Sequence, residues 1–209
     1  MDLDSDAALR ALRGLLRLLL AEPEEELAPL RPQLRRALGA NLGLAAAMMP
    51  ELALLLRVAA EPIGDAPVDV GRFYRIGIDV LRTLAGSRPI VFVLDDLQWA
   101  SATPLGFFDA VVGEAGIPGL LFVGTYRVEE VDSAHPLSAM LSRWDRLNAA
   151  PRSLLLKNLS RSDLCTLLEE IMRLRPTDAL RLADAIATRT DGNPYDSTEL
   201  LNALRRDGA

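Results

Sequence analysis

The sequence predicts an α/β chain dominated by helix, with a small parallel sheet near its middle. Two patterns carry this. Pro89-Ile90-Val91-Phe92-Val93-Leu94 and Leu120-Leu121-Phe122-Val123-Gly124-Thr125 are continuous apolar runs, the composition of strands covered on both faces. Before residue 86 and after residue 160, leucines instead recur at intervals of three and four, the spacing of one helix face. The 209 residues are 50% hydrophobic and 25% charged, which places the chain among globular proteins with a core and not among disordered ones.

The elements follow in order. Leu9, Leu12, Leu16, Leu19 and Leu20 form one helical face, and Leu27, Leu30, Leu34 and Leu38 a second. Pro32, within the second, suits a first turn and marks a helix start there. Gly39 and Asn41 are stop signals. Leu44 to Ala60 is again helical, divided by Pro50. Residues 61–69 read as a loop by composition. Phe73, Ile76, Val80 and Leu84 give another helical face, ending near Gly86. After the first strand, Ser101 or Thr103 caps a helix with Pro104 in its first turn and Leu105, Phe108, Val111 and Val112 inward. Gly116-Ile117-Pro118-Gly119 ends it before the second strand. Strand, helix and strand within about 35 residues make a βαβ unit.

Beyond it, residues 128–151 are polar and irregular, with a short helix expected from Leu137 to Trp144. Ser153–Leu159 is a third strand candidate. Ser160 with Asp163 is a capping-box signature, followed by Leu164, Leu167, Leu168 and Ile171 at helical spacing. Thr177 or Asp178 starts the next helix, and Asp191-Gly192 ends it. Asn193-Pro194 reads as the cap and first residue of a last helix, with Leu200, Leu201 and Leu204 inward and Asp207-Gly208 as its terminator. Three segments result: 1–86, 87–159 and 160–209.

Composition excludes several functions. The net charge is −6, against the clustered basic surface that nucleic-acid binding needs. Cys165 is the only cysteine and His135 the only histidine, so an internal disulfide, a zinc cluster and multi-histidine metal chemistry are all out of reach. His135 reads as a loop histidine. The acidic start MDLDSD is unlike a secretory leader, and the longest apolar stretch is too short and too interrupted to span a bilayer. A cytoplasmic location is expected.

The chemistry concentrates in "VFVLDDLQWAS", Val91 to Ser101. Ligands bind beyond the carboxyl ends of strands in parallel sheets, and Asp95 and Asp96 sit at such an end. Neighbouring residues on an extended chain point in different directions. One carboxylate can therefore hold Mg²⁺ or its water while the other faces a phosphate and places the attacking water, two of the parts that phosphoryl transfer requires. The plain alternative is that both aspartates only cap the helix that follows. Two further features accompany them. The next strand ends in Gly124-Thr125-Tyr126-Arg127, bringing a hydroxyl and a guanidinium to the same face, and Asp191-Gly192-Asn193-Pro194 lies in the helical C-terminal region.

Together these stretches resemble the STAND branch of AAA-like P-loop ATPases, the signal-transduction modules of large bacterial regulators that carry kinase, cyclase or helix-turn-helix outputs. "FVLDDLQWAS" resembles their Walker B segment, "LLFVGTYRVEE" their sensor-1 strand and "DGNPYDSTELLNALRRDG" their GNP-containing helical segment. The helices from Leu9 to Gly86, with Gly71-Arg72-Phe73, resemble the stretch that precedes Walker B. The resemblance implies that Asp95 binds Mg²⁺, that Asp96 is the catalytic or water-orienting acid, and that Thr125 or Arg127 senses the γ-phosphate. It places Asn193 and Pro194, with Gln98, beside the nucleotide. Each has a structural alternative: Thr125 and Arg127 as a strand end with a surface ion pair, Asn193-Pro194 as a helix start, and Trp99 as core packing and not a base platform.

A P-loop needs G-x-x-x-x-G-K-[ST], whose backbone N–H groups and lysine hold the phosphates. Of 23 basic residues only Lys157 is a lysine, and it lies in "LLLKNLS" with no glycine before it. Walker A is absent. The expectation is a chain that begins after the P-loop, needs an upstream segment or other domains of a larger regulator, and by itself binds Mg²⁺ and ATP weakly or not at all. The implied fold is a helix-rich partial P-loop NTPase sheet lacking the P-loop strand, with a C-terminal helical lid. Family sheets run 5-1-4-3-2. Here strands 3, 4 and 5 would be Ile90–Leu94, Leu120–Thr125 and Ser153–Leu159, with strand 1 missing between 4 and 5, and strand 2 missing beside 3. An open apolar edge is costly. So strand 5 shifts onto strand 4, or a partner or a second copy fills the gap, or the isolated chain is marginally stable. The competing reading is a non-catalytic helical interaction module with an ATPase-derived core.

Overall fold

The computed structural model describes residues 7–60, 69–114, 116–146 and 151–206, and the chain divides into two units, Met1–Pro151 and Arg152–Ala209. In the first unit five helices lead: α1 (Ala7–Leu20), α2 (Glu24–Leu27), α3 (Leu30–Leu38), α4 (Leu42–Met48) and α5 (Pro50–Leu56). Pro32 falls in the first turn of α3, and Pro50 is the first residue of α5, where its missing N–H breaks no helical bond. The leucines that share one face of α1 are buried: Leu9, Leu12, Leu16 and Leu19. α1 and α3 both pack on α5, and α3 on α6 (Val70–Ala85). Residues 61–68 of the predicted loop lie outside the described residues, as do Asp207 and Gly208.

α5 is fastened by charge as well as by burial. Glu51 is buried, and both its oxygens accept from Arg13 Nε, at 3.0 and 3.2 Å, while Arg17 Nε donates at 2.9 Å. The free carbonyls at the end of α5 are met by arginines from α3: Arg31 Nε donates to Leu55 C=O at 2.7 Å, and Arg35 donates to Leu56 C=O. Burial alone pushes the Glu51 carboxyl up. Hydrogen bonds from its own backbone, from Arg13 and from Arg17 outweigh it and hold the group below the usual glutamate value of 4.5. A depressed folded value means that the stabilisation is present above 4.5 and is lost as pH falls through the lower folded value. Urea titrations across acid pH should therefore show a steeper acid loss of stability in the parent than in Glu51→Gln. At neutral pH Glu51→Ala should cost about 1–2 kcal/mol, because the hydrogen bonds to Arg13 and Arg17 are lost while both guanidiniums, part-exposed, can return to water. Equal acid limbs would refute the assignment.

The βαβ unit forms as predicted: β1 (Ile90–Leu94), α7 (Ala102–Gly113) and β2 (Leu120–Gly124), with the strands parallel and Phe92 opposite Phe122. Those two rings stack 5.1 Å apart at 9°. Phe107 of α7 lies about equally near Phe73, Tyr74, Phe92 and Phe122, with centroids 6.1–6.4 Å away. Helical spacing does not single out Phe107 as inward, yet it is fully buried. Gly77 of α6 admits it, since a Cβ there would stand 2.7 Å from the ring. The aromatic cluster fixes the strand register and so fixes which residues emerge at the strand ends. α8 (Pro136–Arg146) closes the unit, burying Trp144 against Phe108 with its indole N–H on Asp109 Oδ1 at 2.8 Å.

Two strand expectations are corrected. The sheet has two strands, with no further strand on either outer edge among the described residues. Among the described residues only one face is covered: Ile90, Phe92 and Leu94 point into the core, whereas Val91 and Val93 are 64% and 50% exposed. A continuous apolar run describes its own side chains but not whether a second layer exists to receive them. Ser153–Leu159 is irregular, and Leu154, Leu155 and Leu156 are exposed. Its end is held inside the second unit instead, by Leu159 N–H on Gly192 C=O at 2.8 Å and Asn158 Nδ2 on Asp191 C=O at 2.9 Å. Apolar composition without a neighbouring ladder makes no strand.

The second unit holds α9 (Arg161–Met172), α10 (Pro176–Thr190) and α11 (Pro194–Arg206). The predicted capping box is present at Ser160 and Asp163. Leu164, Leu168, Ala179, Ala183, Ile186 and Leu201 form its core, while Ile171, expected to face inward, is exposed.

Candidate functional site at the strand ends

The site is built where β1 and β2 stop. The ladder continues one step past each strand: Thr125 N–H donates to Leu94 C=O at 3.0 Å, and Leu97 N–H to Thr125 C=O at 2.8 Å. Between those bonds Asp95 and Asp96 must turn the chain, and Asp96 does so in the left-handed region, at φ 54° and ψ 49°. Aspartate is one of the few residues that enter this region at modest cost. A single 3₁₀ turn, Leu97–Trp99, follows. Leu97 seats against Gly124, where a Cβ would come within 2.6 Å of its side chain.

Thr125 joins the pair. Its hydroxyl donates to Asp95 Oδ1 and accepts from Asp96 N–H at 3.2 Å. The second oxygen of Asp95 has no partner among the described residues, and the residue is exposed. Gln98 Nε2 donates to Asp96 Oδ1 at 3.1 Å, and Gln98 Oε1 accepts from Arg127 N–H at 3.2 Å. Asp95, Asp96, Gln98, Thr125 and Arg127 thus come together, from two segments about thirty residues apart. The aspartates do not serve as the caps of α7, whose N-terminus begins at Ser101.

Arg127 is engaged at the surface. Its guanidinium lies 5.7 Å over the Trp99 ring and 3.6 Å from Glu130 Oε1, and Trp99 Nε1 donates to Glu130 Oε2 at 2.8 Å. Trp99, expected in the core, is 67% exposed. The ion pair explains why: with its N–H on a surface carboxylate and a cation over one face, the indole is held outward. Glu130, and His135, whose Nε2 lies 2.9 Å from Gln98 C=O, are the members that the sequence reading leaves out of the site. Neither lies at motif spacing from the aspartates, and only the fold brings them to the loop.

Asn193 and Pro194 belong to the second unit. Asn193 Oδ1 accepts from Tyr195 N–H at 2.9 Å and from Asp196 N–H at 3.2 Å, with Pro194 as the first residue of α11. This is the helix-start arrangement. Gly192, at φ 74°, makes the turn before it, and a Cβ there would stand 2.2 Å from Leu159 C=O.

The donor set is one of hard oxygens. Mg²⁺ is held by hard oxygen ligands, commonly one or two carboxylates with water and phosphate oxygens completing the shell, and Asp95 offers an exposed carboxylate oxygen. No group of three His, Cys, Asp or Glu side chains converges among the described residues, so an all-protein metal cage is not formed by them. A phosphate cradle of the G-x-x-x-x-G-K-[ST] kind is not in the sequence, and Lys157 lies in the second unit. Among the described residues no helix is long and apolar enough to cross a membrane. In comparisons with known proteins, no family model, no curated protein and no solved structure matched the chain.

Proposed function

We propose that this chain supplies the acidic, Mg²⁺-handling half of an ATP-dependent regulatory switch of the STAND type, acting in bacterial signal transduction or transcription control. The observation that carries the reading is the Thr125 hydroxyl, which ties the Asp95 carboxylate to the Asp96 backbone across the ends of two parallel strands. In this reading Asp95 holds the hydrated cation, Asp96 orients a water or accepts its proton, and Thr125 fixes both. Arg127, joined to the loop through its backbone N–H on Gln98 Oε1, is assigned the sensing role. The cation, when bound, neutralises charge on the phosphate oxygens. Asn193 and Pro194 serve as the cap and first residue of α11 within the second unit. The phosphate cradle comes from a segment outside these residues.

Calorimetric titration with Mg-ATP tests this. The 209-residue chain should show no saturation up to about 1 mM. The chain extended by the residues encoded upstream of Met1, with a G-x-x-x-x-G-K-[ST] loop among them, should bind at least about 100-fold more tightly, the order of gain expected from a charge-assisted phosphate cradle. Tight binding by the short chain, or none by the extended one, would end the proposal.

A second reading rests on Val91, Val93 and Leu121, the bare face of the sheet. Parallel sheets are ordinarily covered on both faces, so this face suits a protein partner in a non-catalytic interaction module. That reading requires Asp95→Asn and Asp96→Asn to leave partner binding unchanged.

A further inference from the structure

We infer that Gln98 and His135 form a positioning relay that sets the Asp96 carboxylate and ties it to the start of α8. The inference rests on the reading of Asp96 as the water-orienting acid, and it assigns Gln98 to the protein interior and not to the nucleotide.

Asp96 is held in its left-handed conformation from several sides. Its N–H reaches Thr125 Oγ1, its C=O accepts from Trp99 N–H at 3.0 Å, and its Oδ1 accepts from Gln98 Nε2. Only the last of these touches the carboxylate, so Gln98 decides which oxygen points inward and leaves Oδ2 open. Gln98 is 6% exposed, and a buried amide must be satisfied at both ends. Its orientation follows from chemistry. Arg127 N–H can only donate, so it takes Oε1, which leaves Nε2 for the Asp96 oxygen.

The same logic fixes His135. Leu137 N–H donates to Nδ1 at 3.1 Å, so Nδ1 carries no proton, and Nε2–H donates to Gln98 C=O at 2.9 Å. Leu137 is buried in the first turn of α8. The imidazole therefore stands between a core-anchored helix start and the backbone of the residue that orients the acid. A rigid first group held by such second contacts is what precise placement requires. The chain of bonds Leu137, His135, Gln98, Asp96 also gives α8 a physical route to the acid: displacement of the helix would loosen the carboxylate.

Two measurements test the relay, the first independent of nucleotide. In the 209-residue chain, NMR should show His135 as the neutral Nε2–H tautomer and the Gln98 amide protons as slow to exchange. The one-bond Cα–Hα coupling of Asp96 should report its positive φ. Gln98→Met keeps the shape, and Gln98→Glu keeps the acceptor for Arg127 while losing the donor to Asp96. Both should leave the core methyl spectrum intact and shift or broaden the Asp96 signals. In the extended chain with Mg-ATP, Gln98→Met should lower kcat about 10- to 100-fold with Kd within about threefold. His135→Leu should do the same to a smaller degree, and His135→Gln, whose amide can replace the Nε2–H, should restore most of the loss. Unchanged Asp96 signals in both Gln98 variants would overturn the relay, as would a rise in Kd at constant kcat, which would make Gln98 a nucleotide contact. If the extended chain binds no nucleotide, the functional proposal fails by itself, and the NMR result alone decides the relay.

Discussion

Gly119→Ala should unfold the first unit at markedly lower urea, with a loss of roughly 3–5 kcal/mol, while Gly14→Ala should raise stability by about 0.5–1 kcal/mol. Gly119 ends the turn before β2 at φ 81°, and a Cβ there would stand 2.3 Å from Ala85 C=O at the end of α6. That neighbour is backbone and cannot swing aside. Left-handed geometry costs an L-residue about 1–2 kcal/mol before any clash. Gly119 C=O also accepts the Ile90 N–H at 2.8 Å, the first rung between the strands, so a displaced Gly119 opens the ladder from its start. At Gly14, inside α1, an added Cβ would meet nothing within 4 Å, and alanine there gains helix propensity at no steric cost. Both changes add one methyl, and their opposite signs separate local packing from a general effect of glycine removal. A Gly119→Ala loss below about 1 kcal/mol, read from a urea midpoint at constant slope, would show that α6 and the turn can part without consequence.

That turn illustrates what is legible in a sequence. Gly116-Ile117-Pro118-Gly119 announces a break, because glycine and proline punctuate the chain by their own stereochemistry. The leucine faces of α1 and α6 and the capping box at Ser160 are legible for the same kind of reason: periodicity and capping are local properties. Phe107 escapes because α7 is apolar nearly all round, so spacing alone does not choose its inward face. Ser153–Leu159 misleads because a strand is a relation between two segments and not a property of one. The bare face of Val91 and Val93 repeats that lesson at the level of layers.

The candidate site divides along the same line. Asp95, Asp96, Thr125 and Arg127 can be placed together once two parallel strands are expected, since a shared strand end is a consequence of topology. The partners that orient them cannot. His135 reaches Gln98 C=O across 37 residues, and Glu130 reaches Trp99 across 31. Such contacts depend on how the loop after β2 folds back, for which the sequence carries no periodic signal. Trp99 shows the limit most clearly: a lone tryptophan beside an apolar strand reads as core, and only the carboxylate of Glu130 explains its exposure.

Asp96→Asn should lower ATP hydrolysis by the extended chain on the order of 10³-fold while leaving Mg-ATP affinity within about threefold, whereas Asp95→Asn should weaken Mg-ATP binding at least about tenfold. The structure makes both substitutions nearly isosteric. Asparagine tolerates the left-handed φ of residue 96 as aspartate does, and its Oδ1 can still accept from Gln98 Nε2. Asparagine at 95 can still accept from the Thr125 hydroxyl. Stability should therefore change by less than about 1 kcal/mol in either variant, and the loss of function is a loss of charge. The roles then separate by geometry. On the proposed reading Asp95, exposed and with one oxygen unpartnered among the described residues, would meet the cation, so its charge would enter the ground-state complex and affect affinity. On the same reading Asp96, whose Oδ1 accepts from Gln98, would have its other oxygen for a water, so its charge would act only as the reaction proceeds and affect kcat. Thr125→Val supplies the third arm: it removes the group that links the two aspartates, and both affinity and rate should fall, with Thr125→Ser restoring them. If Asp96→Asn hydrolyses ATP within about threefold of the parent, or if the two asparagine variants behave alike, the carboxylates are a turn that happens to be acidic and the division of labour across the strand ends is wrong.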